Sequence, residues 1–330
     1  MDTYKNNKKM WAFMLYLGTN KDGKPNEYLN FQWEEEVVYH DTLYSDRDTW
    51  NKITAFMPTC GINTILIDMG EGVKLDSHPE LAVPGSWEKQ DFIKELDRLR
   101  SLGLTPLPKY NFSCMHNAWM QDYGNMVGTK AYDQICADII CETIEMFGKP
   151  EFFHLGMEEE KIANQSHYKV MRERSWTKKT EDLLFMCNIC LERGVRPWIW
   201  VDPQSIQGLG GEENFRKNIP TDVLISNWWY DKVYYAGEQE DPHTKLYREL
   251  DEWGYEQVPT CSGWSYPYNA RQTMRYCKKY LKEENLKGFM TAPWMHVMPT
   301  KYHGLQSEAY VFGRAKEKIY PEHSSVKEAD

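Results

Sequence analysis

The residues most able to do chemistry lie in one run, Phe152-Phe153-His154-Leu155-Gly156-Met157-Glu158-Glu159-Glu160. Adjacent carboxylates repel one another, so at least one is expected to hold its proton to higher pH. Such a proton is what a glycosidic oxygen needs as its bond breaks. The bland reading is an acidic first helical turn at Glu158–Lys161, which the helix dipole favours. Position decides for chemistry, because the run follows a buried apolar segment and is preceded by His-x-Gly.

The elements that must position these groups follow from periodicity. Near-continuous apolar runs at 11–17, 64–69, 104–110, 152–155, 197–201, 223–227, 257–261 and 289–292 predict strands buried on both faces of a parallel sheet. Helical spacing predicts helices at 46–57, 87–102, 131–147, 180–193, 245–253, 270–284 and 305–316, and a short one at 212–217. Helix ends recur as a glycine followed by a strand, as in Leu102-Gly103-Leu104 and Arg193-Gly194-Val195. Strand–helix alternation of this kind predicts an α/β fold, a single (β/α)8 TIM barrel over residues 1–330. Strand one leads into Gly18-Thr19-Asn20-Lys21-Asp22-Gly23, which lacks the GxGxxG of a doubly wound dinucleotide fold. The longest insertion, at about 19–45, falls between strand one and helix one, over the expected catalytic face.

Barrel active sites form where strands end. The polar and aromatic residues expected there are Asp68, His154, Glu158, Glu159, Asp202, Trp228, Tyr230, Asp231, Trp264, Tyr266 and Trp294. Carboxylates and rings converging on one rim suit a sugar, with rings as stacking faces and carboxylates as hydroxyl acceptors. Asp68 reads equally as a hydroxyl ligand or a loop cap. Asp202 precedes Pro203, where a turn is expected in any case. His116, His243 and His303 read as loop histidines.

The segment His154-Leu155-Gly156-Met157-Glu158-Glu159 resembles the His-x-Gly-x-Asp-Glu signature of glycoside hydrolase family 20, the β-N-acetylhexosaminidases. By that resemblance Glu159 is the general acid/base. Glu158 stands where the family's Asp orients the substrate's 2-acetamido group, itself the nucleophile. Glu for Asp adds a methylene, roughly an ångström of reach, at a position that usually must be held within ~0.5 Å. The resemblance also implies Trp and Tyr on the late strands, for which Trp264, Tyr266 and Trp294 are candidates by location. It implies an early Arg on sugar hydroxyls, with Arg47 the candidate. Arg47 equally reads as an ion-paired helix start.

The function expected is an exo-acting retaining β-glycosidase, hexosaminidase-like, with a small glycoside or oligosaccharide as partner. Two alternatives stand: a carbohydrate-binding barrel without turnover, and a metal-dependent sugar isomerase or epimerase built on Glu159, Asp202, Asp231 and His296. Neither HxH nor HExxH spacing is present, so no metal and no other cofactor is expected. Net charge −10 disfavours nucleic acid and anionic membrane surfaces. Of the eight Cys, Cys187 and Cys190 form a CxxC inside a helical run and read as reduced core residues. No apolar run reaches the ~18 residues of a membrane span. The apolar run 10–17 lacks a small-residue cleavage site, so the reading is cytoplasmic, although a chain whose leader has been removed reads the same.

Overall fold

The computed structural model describes residues 9–21, 39–165, 170–233 and 240–323. Most of the insertion expected at about 19–45, namely 22–38, lies outside the described residues.

Eight parallel strands form the barrel. They are β1 (Met10–Tyr16), β2 (Thr64–Asp68), β3 (Thr105–Lys109), β4 (Phe152–His154), β5 (Arg196–Val201), β6 (Leu224–Asn227), β7 (Thr260–Cys261) and β8 (Gly288–Thr291). The ladders run in the order β6-β5-β4-β3-β2-β1-β8-β7. Single bridges Ile225↔Gln257 and Trp228↔Thr260 close the ring between β6 and β7. Pro259 explains why β7 is so short, since it has no N–H to give a neighbour.

Side chains alternate across each strand and build two cores. Ala12, Met14, Leu66, Leu107, Phe152, Trp198, Leu224 and Met290 fill the barrel interior. Trp11, Phe13, Ile65, Phe153, Ile199 and Phe289 face the helices. The same alternation dictates what crowns the interior. Two residues beyond Met14, Leu66, Leu107 and Phe152 come Tyr16, Asp68, Lys109 and His154, one polar layer under the rim.

The helices are α1 (Arg47–Phe56), α2 (Lys89–Ser101), α3 (Lys130–Met146), α4 (Trp176–Glu192), α5 (Pro203–Gly208), α6 (Glu212–Asn218), α7 (Pro242–Glu252), α8 (Asn269–Tyr280) and α9 (Tyr302–Ile319). Gly103 and Gly194, the stops read from the sequence, sit at φ +83° and +67°, where a Cβ is strained.

Three expectations shift. Trp87–Glu88 pairs with Val73–Lys74 in a small parallel ribbon, so α2 begins only at Lys89. Helix α4 starts at Trp176 rather than 180, because Ser175 caps it and a polar first turn hides it from apolar periodicity. Helix α5 replaces an expected turn, with Asp202 as its cap and Pro203 in its first position. No described helix is long and apolar enough to cross a membrane.

Candidate active site

The run Glu158–Glu160 starts no helix. Its three carboxylates part company because the backbone turns sharply: φ is +77° at Gly156, +80° at Met157 and +54° at Glu159. Left-handed non-glycine residues cost on the order of 1–3 kcal/mol each and persist only where their surroundings enforce them. Asn111, just beyond β3, supplies that enforcement. Its Oδ1 accepts from the Ser113 and Met157 amides at 3.1 and 3.3 Å. This orientation leaves Nδ2 to donate to Glu158 Oε1 at 2.7 Å. Ser113 Oγ donates to the Glu158 carbonyl at 2.6 Å. Gly156 is required here, since a Cβ would lie 2.3 Å from Asn111 Oδ1.

Each glutamate meets a different environment. Glu158 is buried at 6% exposure, and its Oε2 has no hydrogen-bond partner among the described residues. Glu159 is half-open, its side chain 38% exposed, with Oε2 3.1 Å from His116 Nε2. Glu160 turns inward. Arg174 donates to it through Nε and Nη2 at 2.7 and 2.5 Å, and its carboxyl is pulled down to about 2. Burial opposes that shift, and the Arg174 charge and hydrogen bonds overcome it. Arg174 continues to Asp182 at 3.0 Å and to the Phe112 carbonyl at 3.0 Å, stitching the loops after β3 and β4 to α4. The repulsion expected within the acidic run is therefore relieved at Glu160.

His154 is fully buried between Trp198 and Trp200, with centroids 5.0 and 4.5 Å away. Burial and nearby Lys109 hold its pKa well below 6.5, so it is neutral. Its Nδ1 accepts from the Gly156 amide at 3.0 Å, which places the proton on Nε2. Asp68 is paired with fully buried Lys109 at 2.7 Å.

The opposite wall is aromatic. Trp294, at φ +54°, has Tyr230 5.9 Å, Trp200 6.1 Å and Tyr16 6.2 Å away between centroids. Tyr230 stacks on Trp228 at 5.3 Å. Burial raises the Tyr230 phenol well above its usual pKa, and the charges of Glu158 and Glu159 add to that rise. Ring contacts from His154 through Trp200 to Trp294 link the end of β4 to the aromatic wall.

The other expected residues make contacts of their own. Arg47 is exposed and stacks on Trp87 at 4.0 Å. Asp202 is committed to α5, accepting from the Ser205 and Gln204 amides at 2.8 and 3.3 Å. Asp231 is exposed and accepts from the Lys232 amide at 2.7 Å. Trp264 is 70% exposed, and Tyr266 leans on Tyr268 at 5.7 Å. Among the described residues no three His, Cys, Asp or Glu side chains gather as metal ligands.

Sequence reasoning passed over two participants. Lys21, not Arg47, is the cation at the end of β1. Its Nζ bonds the Tyr16 hydroxyl, lies 4.4 Å from the Trp294 ring centroid and is 3.9 Å from Asp68. Buried Glu71 anchors this segment by accepting from the Thr19 and Asn20 amides at 2.8 and 3.1 Å. His116, which the sequence presents as a loop histidine, is the second, 3.1 Å from Glu159. The available signal was its place beyond β3, the strand next to β4.

By sequence the chain matches no family model and no curated protein. Its backbone superposes on a catalytic module of the pneumococcal exo-β-D-N-acetylglucosaminidase StrH with TM-score 0.63 and 13% identity, over 94% of this chain and 85% of that one. The fold matches that of β-N-acetylhexosaminidases. The enzyme of that name from Bacteroides fragilis gives TM-score 0.59 at 11% identity, over 96% of this chain and 71% of its own. Dispersin B gives 0.57 at 11%, over 93% and 99%. Within this barrel, the segment His154–Glu159 sits at the end of the fourth strand, where the sequence resemblance expects it.

Proposed function

We propose that this chain is an exo-acting retaining β-glycosidase, one that removes a terminal 2-acetamido-2-deoxy sugar with the substrate's own acetamido group as nucleophile. The observation that carries this reading is the Glu158 carboxylate. It is buried and fixed by Asn111 through one oxygen, while its second oxygen lacks a donor among the described residues. A buried acceptor without a donor is costly. The amide N–H of a 2-acetamido group supplies that donor.

In the proposed cycle Glu159 gives its proton to the glycosidic oxygen as the bond to C1 breaks. The acetamido carbonyl oxygen attacks C1, forming a cyclic oxazolinium ion, while Glu158 accepts from its N–H. Glu159, now a carboxylate, takes a proton from water that opens the ring at C1, and the acetamido group is restored. Two displacements leave the anomeric configuration unchanged. His116 beside Glu159 orients the carboxyl. The reading needs no protein nucleophile, and the longer Glu158 is accommodated because Asn111 draws it back. Trp294 and Tyr230 offer faces to the sugar ring and its acetamido methyl, with buried Trp200 packed behind Trp294.

The test is release of chromophore from aryl N-acetyl-β-glucosaminide and N-acetyl-β-galactosaminide, with competitive inhibition by a thiazoline analogue of the cyclic ion. Turnover with thiazoline inhibition supports the reading, with Glu159→Gln abolishing cleavage of an unactivated glycoside and sparing much more of the turnover of a nitrophenyl one. Turnover of aryl glycosides lacking the acetamido group at equal efficiency sinks the assisted mechanism. Sugar binding without any turnover favours a binding barrel.

A further inference from the structure

A groove of about 590 Å³ lies between α6 and the end of α7. Helix α6 ends at Asn218 and α7 at Glu252, and the connections that follow them enter β6 and β7. These helix ends therefore sit beside the strand starts, at the end of the barrel opposite Glu158 and Glu159.

One wall of the groove is an indole. Trp253, the C-cap of α7, is half-buried and packs on fully buried Phe215 with centroids 6.2 Å apart. Phe215 packs in turn on Tyr255 at 5.4 Å, and the Tyr255 hydroxyl donates to the Ile219 carbonyl at 2.7 Å. The core thus fixes the Trp253 ring from beneath.

The groups around the ring have bonding capacity to spare. The Arg216 guanidinium carbon lies 5.5 Å from the Trp253 centroid, and one of its nitrogens donates to Glu212 at 3.0 Å. A guanidinium has five N–H donors, so most remain for another partner. Glu213 and Lys217 also line the groove, one helical turn apart, the spacing at which opposite charges pair. Neither makes an ion pair among the described residues. Thr221 adds an exposed hydroxyl.

The charges decide the class of ligand. Two carboxylates and two cations sum to zero, so neither a phosphate nor a polyamine gains net attraction. A fixed, half-open ring among unspent donors and acceptors fits a neutral molecule with an apolar face and many hydroxyls. A pyranose has both.

We propose that this groove is a second, non-catalytic site for a neutral oligosaccharide. Trp253 is its stacking face, and Arg216, Glu213 and Lys217 take the hydroxyls. It shares no residue with the inner pocket, so it stands or falls apart from the glycosidase reading. Where both hold, the groove keeps the enzyme on a surface dense in sugar chains and raises the concentration of chain ends at the rim.

The experiment titrates the whole chain by calorimetry with the β-1,4-linked tetramers of N-acetylglucosamine and of glucose, with and without saturating thiazoline in the inner pocket. Wild type is compared with Trp253→Ala and with Arg216→Ala, which changes only an exposed side chain and so guards against a loss of fold. The expected result is tetramer binding that persists under thiazoline, weakened about tenfold in Trp253→Ala and less in Arg216→Ala. Chromophore release from small aryl glycosides stays at the wild-type rate in both. Failure of wild type to bind either tetramer under thiazoline overturns the site, as does binding that both variants leave unchanged. If thiazoline does not bind and no glycoside turns over, the glycosidase reading fails, and a Trp253-dependent tetramer affinity still upholds the groove.

Discussion

The walls after β3–β4 and after β6–β8 are built by opposite means. The first is polar and over-determined: each carboxylate has an assigned partner, Asn111 for Glu158, His116 for Glu159 and Arg174 for Glu160. Its backbone is held in left-handed conformations at Met157 and Glu159. The second is made of rings, Trp228, Tyr230 and Trp294, whose contacts are mostly face and edge packing. The contrast teaches a division of labour. Groups that move protons must be held in direction, which takes hydrogen bonds, whereas groups that hold a sugar need area.

The largest expected effect breaks the polar wall at its proposed proton donor. Glu159→Gln lowers kcat/KM for an unactivated glycoside by about 10²–10⁴-fold, and by much less for a nitrophenyl leaving group that departs without a proton. An equal loss for both leaving groups removes Glu159 from the acid's role.

Next comes the member of the run that is purely structural. Glu160→Gln leaves Arg174 with Asp182 as its remaining carboxylate partner, so the cost is at most the roughly 3–5 kcal/mol of a fully broken buried pair. Lowered Tm measured by calorimetry checks this. Full stability in Glu160→Gln would mean that the loop is held by other means.

Glu158→Gln sharpens the comparison from within the polar wall. It turns an acceptor into a group that also donates, so kcat for acetamido substrates falls by about 10²-fold or more while stability changes little. Comparable kcat in wild type and variant contradicts the orienting role. Trp294→Ala probes the other wall, and its effect is smaller and of another kind. KM rises by about tenfold with a lesser change in kcat, as expected when ground state and transition state lose the same area.

Two buried groups of the polar wall contribute to the pH dependence. The folded pKa of Glu160 is depressed to about 2, so its contribution to stability is present above its usual pKa near 4.5 and is lost as pH falls from there toward 2. The folded pKa of His154 also lies below its usual value, because the buried ring resists charge. The unfolded state therefore binds that proton first, and stability declines as pH drops below 6.5. Acid denaturation should show both phases, and Glu160→Gln should shrink the lower one, which Glu142, also held down to about 2 by Lys89 and the Asp76 and Ser77 amides, shares.

What the residues dictated on their own was the frame. Eight buried apolar runs and the helix–glycine–strand turns specify a barrel, because burial on both faces and left-handed helix ends are local demands. Period-two alternation from that frame places Tyr16, Asp68, Lys109 and His154 in one layer, and the motif places Glu158 and Glu159 beside it. Tertiary structure decided which polar residues reach that space. Asp202 reads like a site residue but is taken by the amides of α5. Arg47 reads like a sugar ligand but lies on Trp87. Lys21 and His116 come from loops whose course no periodicity encodes, and they arrive beside Trp294 and Glu159. The three consecutive glutamates make the point most simply. They are identical in type and adjacent in sequence, and only the φ angles and the partners Asn111, His116 and Arg174 make them different.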